Sequence, residues 1–130
     1  MTATATLSPG TRLDLTGRQG ATWLLPLTWT AGTPAGAVNL TGATARLQVR
    51  RAYADDDPGS PVLEATEVDG LTLGGIAGTV EWRAEAAATE AIPYGAYVWE
   101  LRIWIVSGDT VKLLTGSLLV TPGTDREVAA

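Results

Sequence analysis

Cysteine and histidine, which carry much of protein chemistry, are both absent from this chain of 130 residues. Without cysteine there is no disulfide framework, no thiolate metal site and no thiol nucleophile. Without histidine, the chain lacks the side chain that titrates near neutral pH unaided and the commonest ligand for zinc or copper. Most acid–base catalysis at neutral pH is therefore disfavoured.

Positive charge is also scarce: 9 lysines and arginines stand against 14 acidic residues, for a formal net charge of -5. Such a balance disfavours a nucleic-acid partner, because binding would depend on neutralising phosphates. The opening "MTATATLSPG" has no basic region followed by an apolar core, and no apolar run approaches the length of a membrane span. We expect neither a signal peptide nor a membrane partner.

Phenylalanine is missing too, whereas there are 5 tryptophans and 3 tyrosines. Rings with a polar handle are enriched on binding surfaces, although filling of the core explains so few rings equally well.

The residues that are present alternate at the period of a β-strand. The segments with apolar residues on one face are "TWLLPLTW", "ATARLQVR", "TVEWRAE" and "AYVWELRIWIV". Turn signals recur about every ten residues, which is typical of a sandwich. We predict an all-β fold, a single antiparallel, Ig-like β-sandwich of about seven to eight strands, with one short helical connector near 86–92.

The predicted sandwich domain covers residues 12–122, between an extended N-terminal arm at 1–11 and a loose C-terminal tail at 123–130. Pro26 predicts an edge or bulged strand, since proline cannot donate to a sheet ladder. Gly116 predicts a bulge in the last strand, which should form a hairpin with "AYVWELRIWIV". Lys112 should be an outward charge on that hairpin.

No group of residues predicts catalysis. Asp55, Asp56 and Asp57 are consecutive, whereas the ligands of a calcium loop alternate, so a solvated acidic turn is the better interpretation. The sequon at 39–41 is a three-residue match that we treat as chance. The glycine-rich segment 70–78 lacks the spacing of a nucleotide-binding loop and indicates turns that need positive φ.

Two outward rows are candidates for a contact surface. The first is Arg46, Gln48 and Arg50 on one strand, for which a solvated sheet face is the simpler explanation. The second is Glu100, Arg102 and Trp104 on the longest strand. A tryptophan beside two charges indicates burial, either within the subunit or against a partner.

Four segments in order resemble a family of small tailed-phage proteins: "GATWLLPLTW", "LTGATARLQVRR", "IPYGAYVWELRI" and "LLTGSLLVTPGTDR". The family is similar to the N-terminal domain of the phage baseplate upper protein. Its pattern matches residues in each segment, namely Gly20, Thr22 and Trp23; Leu40, Thr41, Gly42, Thr44, Ala45 and Arg46; Pro93, Gly95 and Tyr97; and Leu114, Gly116, Leu118, Val120 and Arg126. Ala21 and Ala43 depart from it, where an acidic residue and an aromatic are frequent.

The resemblance implies a structural virion protein of a tailed phage or phage-like particle, acting as an adaptor in the tail or baseplate. It implies no enzyme activity, no catalytic residues and no cofactor or metal. Its partners would be other virion proteins of the tail, baseplate or fibre and copies of itself, and it would be assembled in the host cytoplasm. The tentative assembly interface is the pair of outward rows. Two alternatives stay open: a head decoration or head-to-tail accessory protein, and a carbohydrate-binding module that uses exposed Trp or Tyr side chains.

Overall fold

The computed structural model describes residues 5–7, 11–31, 36–52, 59–106 and 108–122. In these ranges the chain forms eleven strands and one α-helix. The strands are β1 (Ala5–Leu7), β2 (Thr11–Arg12), β3 (Leu15–Arg18), β4 (Trp23–Ala31), β5 (Gly36–Ala37), β6 (Thr44–Arg50), β7 (Leu63–Thr66), β8 (Leu71–Leu73), β9 (Thr79–Ala84), β10 (Gly95–Trp104) and β11 (Thr110–Thr121). The helix α1 (Ala86–Glu90) lies within the predicted connector.

The strands form two sheets that pack face to face. The five-stranded sheet has the order β1-β4-β9-β8, with β5 on β4, and the six-stranded sheet has the order β2-β11-β10-β6-β7, with β3 on β11. The run β4-β9-β8 opposite β11-β10-β6-β7 is the strand order of immunoglobulin-like sandwiches. The prediction of an all-β sandwich with an Ig-like arrangement is confirmed.

A tyrosine at the start of β10 strengthens this assignment. The Tyr97 hydroxyl donates a hydrogen bond of 2.5 Å to the carbonyl of Pro93, four residues upstream. A tyrosine bonded back to the backbone just before this strand is a recurrent feature of immunoglobulin-like domains. It fixes the corner through which the chain passes from the five-stranded sheet, by way of α1, to the six-stranded one.

The core lies between the sheets and is built from the alternating faces that the sequence predicts. Trp23, Leu25, Leu27 and Trp29 point inward from β4, and Ala45, Leu47 and Val49 from β6. On β10 the inward side chains are Tyr97, Trp99, Leu101 and Ile103. Trp82 stacks on Trp99 across the two sheets, with ring centroids 6.2 Å apart.

The N-terminal segment pairs with both sheets in a parallel direction, which the sequence analysis does not predict. Residues 5–7 pair with β4, and residues 11–12 and 15–18 pair with β11. The segment 1–11 alternates threonine with alanine and leucine, but its side chains are mostly small and a Pro-Gly pair interrupts it, so the sequence indicates an extended arm rather than a packed strand. The boundaries of the arm and tail stay predictions, and the tail at 123–130 lies outside the described residues.

The prediction of a bulge at Gly116 is wrong. Gly116 pairs in register with Trp99, and the register shift lies further along, where Leu101 faces Leu114 and Arg102 faces Lys112. A Cβ at position 116 would lie 1.9 Å from the carbonyl oxygen of Leu13. Glycine is needed there because the N-terminal segment crosses β11 at close range, and the bulge is at Leu113.

Other local predictions agree with the structure. β10 and β11 form the expected antiparallel hairpin, and Lys112 is exposed on it. Pro26, by contrast, pairs with Glu81 of β9 in a regular register, and β4 lies between β1 and β9, so the prediction of an edge or bulged strand is wrong. Gly75 and Gly78 adopt positive φ in the glycine-rich turn. In the described ranges, every helix is too short or too polar to cross a membrane.

Candidate functional site

The two candidate rows lie side by side on the outer face of the six-stranded sheet. β6 and β10 are antiparallel neighbours, and their register places Arg102 opposite Arg46, Glu100 opposite Gln48 and Val98 opposite Arg50. All six predicted side chains are half-buried and point away from the core. The structure therefore brings Arg46, Gln48, Arg50, Glu100, Arg102 and Trp104 together on one surface.

A third strand extends this surface and adds another cation. The register between β10 and β11 places Lys112 opposite Arg102 on the side away from β6. Arg46, Arg102 and Lys112 thus form a row of three positive charges across three neighbouring strands, which we call the cation row. Like charges at directly opposed positions of a sheet repel one another.

Trp104 lies next to this row rather than in the core. The guanidinium carbon of Arg46 is 5.5 Å from the centroid of the Trp104 ring, and that of Arg102 is 5.8 Å away. Both distances are within the range of a cation–π interaction, worth about 0.5–1 kcal/mol at exposed sites. The indole is half-buried at the surface beside two arginines, so the alternative of burial in the domain's own core is excluded.

Glu100 partly balances the cation row. Its Oε1 atom is 3.4 Å from Nη2 of Arg102 and 3.9 Å from Nζ of Lys112. These are partly exposed ion pairs, and such pairs contribute little to stability. Arg46 is different. In the described ranges its guanidinium makes neither a hydrogen bond nor an ion pair, and it lies against the Trp104 ring.

The other end of the β6 row is tied into a polar network. Gln48 donates a hydrogen bond of 2.6 Å to Glu64 on β7 and accepts one of 3.2 Å from Nε of Arg50. Arg50 also donates to the carbonyl of Gly59. Gln48 and Arg50 are therefore held in place by the sheet itself, which leaves Arg46 as the member of this row with unused donors.

The face is shallow, polar and positively charged. A depression of about 480 Å³ lies over it, lined mainly by side chains from both rows, Lys112 and Thr115. The outward side chains of β6, β7, β10 and β11 include four cations and two carboxylates, namely Arg46, Arg50, Arg102 and Lys112 against Glu64 and Glu100. The chain as a whole has a net charge of -5, so positive charge is concentrated here.

Beyond the polar centre the same face becomes apolar. Leu119 on β11 is 48% exposed, and the register places it opposite Ala96 at the start of β10. Val98 is the next outward residue of β10 and is half-buried. The sequence analysis does not single out Leu119, yet the outward position of a leucine in "GSLLV" is a signal that alternation could have supplied.

The described residues hold no group of acidic side chains arranged to bind a metal ion. Asp55, Asp56 and Asp57, considered above as an acidic turn, lie outside the described ranges. Asp14 is the acidic residue whose pKa the structure clearly lowers, because its carboxylate accepts hydrogen bonds from the backbone amide and side chain of Ser117. That contact joins the N-terminal segment to β11 and is distant in register from the cation row.

Comparison with known proteins gives little beyond the fold. No family model and no curated protein matches the sequence. Among solved structures, the chain is similar to CopC from Methylosinus trichosporium OB3b, at 15% identity with a TM-score of 0.42, over 92% of this chain and 91% of that one. A likeness this weak carries no argument about function.

These comparisons contradict the resemblance to the phage baseplate upper protein family. No family model, of a phage protein or of any other, matches the chain, and the solved structure named above is CopC. The matching pieces have structural explanations in this fold: Tyr97 anchors a corner, and Gly116 makes room for Leu13. Residues that many sandwiches need in similar places explain a sequence likeness without common family membership.

Proposed function

We propose that this protein is a non-enzymatic assembly module that docks onto another protein through the outer face of the six-stranded sheet. The observation that carries the proposal is the Trp104 indole at the surface beside Arg46 and Arg102, on a sheet face whose described outward side chains carry more cations than carboxylates. Tryptophan and arginine are the residues most enriched in the energetic centres of protein interfaces.

The composition of the face supports a protein partner. It combines a polar centre with an apolar margin at Val98 and Leu119, which is the mixture found in non-obligate interfaces. The depression is half-open and lined mainly by charged and polar side chains, whereas small-molecule sites enclose most of the ligand and are mostly apolar. A mixed surface of this kind suits a protein partner better than a small substrate.

The setting predicted from the sequence, a tail or baseplate of a phage particle, depended on the family resemblance and stays a prediction without support of its own. The carbohydrate-binding alternative needs a second exposed ring beside Trp104. In the described ranges the other tryptophans and Tyr97 are buried, and the exposed Tyr94 lies before the opposite end of β10. That alternative therefore has no observation in its favour.

The test is incorporation of the full chain into its native complex. A tagged copy carrying Trp104→Ala is expressed in the source cell, and the amount recovered in complexes is compared with that of the tagged wild type. We expect at least tenfold less incorporation, since a central tryptophan in an interface is worth roughly 2 kcal/mol or more. The thermal midpoint should stay close to that of the wild type, because the ring is outside the core.

Tyr94→Ala is the control, since it removes an exposed aromatic side chain just before the opposite end of the same strand. It should be incorporated like the wild type. Normal incorporation of Trp104→Ala, or a wild-type chain that is monomeric in every fraction of the source cell, would overturn the proposal.

A further inference from the structure

Within the described residues, the cation row has more positive charge than the nearby carboxylate balances. Arg46, Arg102 and Lys112 occupy directly opposed positions on β6, β10 and β11. Neighbouring strands are about 4.8 Å apart, so the three charges span roughly 10 Å. Repulsion between such neighbours costs free energy unless anions lie among them.

One carboxylate of this chain serves two of the three cations. Glu100 contacts Arg102 and Lys112 through the same oxygen atom. Arg46 lies on the far side of Arg102 from Lys112, and in the described part of the chain it has no anionic partner. A guanidinium offers five N–H donors in a planar fork that fits a carboxylate. The Arg46 fork is held beside the Trp104 ring with those donors unused.

We infer that the partner docked on this face presents an acidic segment, with a carboxylate that binds Arg46 and Arg102 beside the Trp104 ring. This inference rests on the proposed function and specifies the chemistry of the partner. The partner's carboxylate would place a negative charge beside Arg46, since Glu100 already pairs with Arg102 and Lys112. The apolar part of the same segment would cover the ring.

The charges of the face favour this occupant over two others. A second copy placed face to face would bring one positive face against another, so a symmetric dimer through this surface is disfavoured. A nucleic acid would bring many phosphates to a chain with net charge -5, and Glu100, which pairs with Arg102 beside the row, would repel closely spaced phosphates. A side-chain carboxylate carries a single charge and fits beside Glu100.

The experiment uses the full chain and three probes. These are a twelve-residue peptide of glutamate, serine and leucine, the same peptide with glutamine for glutamate, and a single-stranded RNA of equal length. Binding is followed by NMR through the indole N–H of Trp104, assigned by its loss in Trp104→Phe. We expect the glutamate peptide to shift this signal, with an affinity that falls as salt is added, and the glutamine peptide and RNA to leave it unchanged.

The variant Arg46→Gln removes the positive charge of Arg46 and keeps a polar side chain of similar length, so it tests the charge without disturbing the fold. It should weaken binding of the glutamate peptide at least about tenfold, the lower end of the range for a hydrogen bond to a charged group. Arg83→Gln, on the exposed side of β9 in the other sheet, removes a cation elsewhere and should leave the affinity unchanged within about twofold. Arg46→Glu should abolish binding of the glutamate peptide and permit binding of a lysine peptide of the same length.

Three results would overturn the inference: equal binding of the glutamate and glutamine peptides, stronger binding of the RNA, or an affinity that Arg46→Gln does not change. A concentration-dependent dimer whose interface contains Trp104 would overturn it as well. If incorporation into the native complex depends on Trp104 but not on Arg46, the proposed docking face is supported and the inference of an acidic partner is refuted. If neither substitution matters, the proposed function itself fails.

Discussion

At the scale of single residues, two tryptophans of one strand show how position decides a role. Trp99 points inward, is 2% exposed and donates its indole N–H to the carbonyl of Leu13 at 2.9 Å. Trp104 is five residues further on, so it faces the opposite side of the sheet. The alternation predicts which of the two is in the core. It does not predict that Arg46 of β6 contacts the Trp104 ring, because alternation within one strand does not show which strand is its neighbour in the sheet.

The glycine at 116 gives a prediction at this scale. Gly116→Ala should destabilise the protein by roughly 1–3 kcal/mol, because the new methyl group collides with the backbone of Leu13 and the N-terminal segment must move. Equilibrium unfolding in urea measures the change. Gly36→Ala is the matched control, since a Cβ there meets no atom within 4 Å. Equal stability of the two variants would show that the close approach is unimportant.

The hydrogen bond from Tyr97 to Pro93 gives a second prediction at the scale of residues. Tyr97→Phe removes the hydroxyl that donates to Pro93 and should cost about 1 kcal/mol, the usual net value of a hydrogen bond. Tyr94→Phe removes a hydroxyl from an exposed ring three residues away and should change the free energy of unfolding by less than about 0.5 kcal/mol. A loss no larger for Tyr97→Phe than for Tyr94→Phe would refute the anchoring role.

At the scale of elements, apolar alternation identifies the strands that face the core and misses the ones that do not. β6 and β10 are predicted in the correct places because one side of each is uniformly apolar. The parallel pairing of the N-terminal segment escapes prediction, although β3 alternates buried and exposed residues, because alternation does not show which strand a segment pairs with. In β11, two adjacent buried leucines at 113 and 114 interrupt the alternation, and that interruption marks the true bulge.

One side-chain contact of the N-terminal segment predicts a dependence on pH. The carboxylate of Asp14 accepts a hydrogen bond of 3.0 Å from the backbone amide of Ser117 on β11. Hydrogen bonds from Ser117, and then the nearby Arg12, hold the pKa of Asp14 below its ordinary value of 3.8. A carboxyl whose pKa is lower in the folded state stabilises the fold above its unfolded pKa and loses that contribution as the pH falls through the folded value.

The comparison of wild type with Asp14→Asn isolates this contribution. The wild type should be the more stable at neutral pH, and the difference in unfolding free energy should shrink as the pH is lowered below about 4. Urea unfolding at a series of pH values measures it. Parallel curves for the two proteins down to about pH 2 would show that the ionised carboxylate contributes nothing at this junction.

At the scale of the whole molecule, the two sheets are held together without a disulfide bond. Antibody domains join the equivalent sheets with a buried disulfide, and this chain has no cysteine. A cluster of indoles crosses the interface instead. Trp23 meets Trp82 edge to face at 6.0 Å within the five-stranded sheet, and Trp82 stacks on Trp99 of the six-stranded sheet. The absence of phenylalanine leaves tryptophan to fill this space.

Trp82 is the central ring, so its removal tests whether the indole cluster holds the sheets together. Trp82→Ala should cost about 3–5 kcal/mol, because it deletes a fully buried ring that packs against two others and leaves a cavity between the sheets. Trp104→Ala, which deletes the same side chain from the outer face, should cost less than about 1 kcal/mol. Urea unfolding of both variants measures the difference in unfolding free energy. A large loss for Trp82→Ala alone would show that Trp82 holds the sheets together, whereas Trp104 lies on the docking face. A comparable loss in both variants would mean that Trp104 supports the fold and that its exposure beside Arg46 and Arg102 has no bearing on docking.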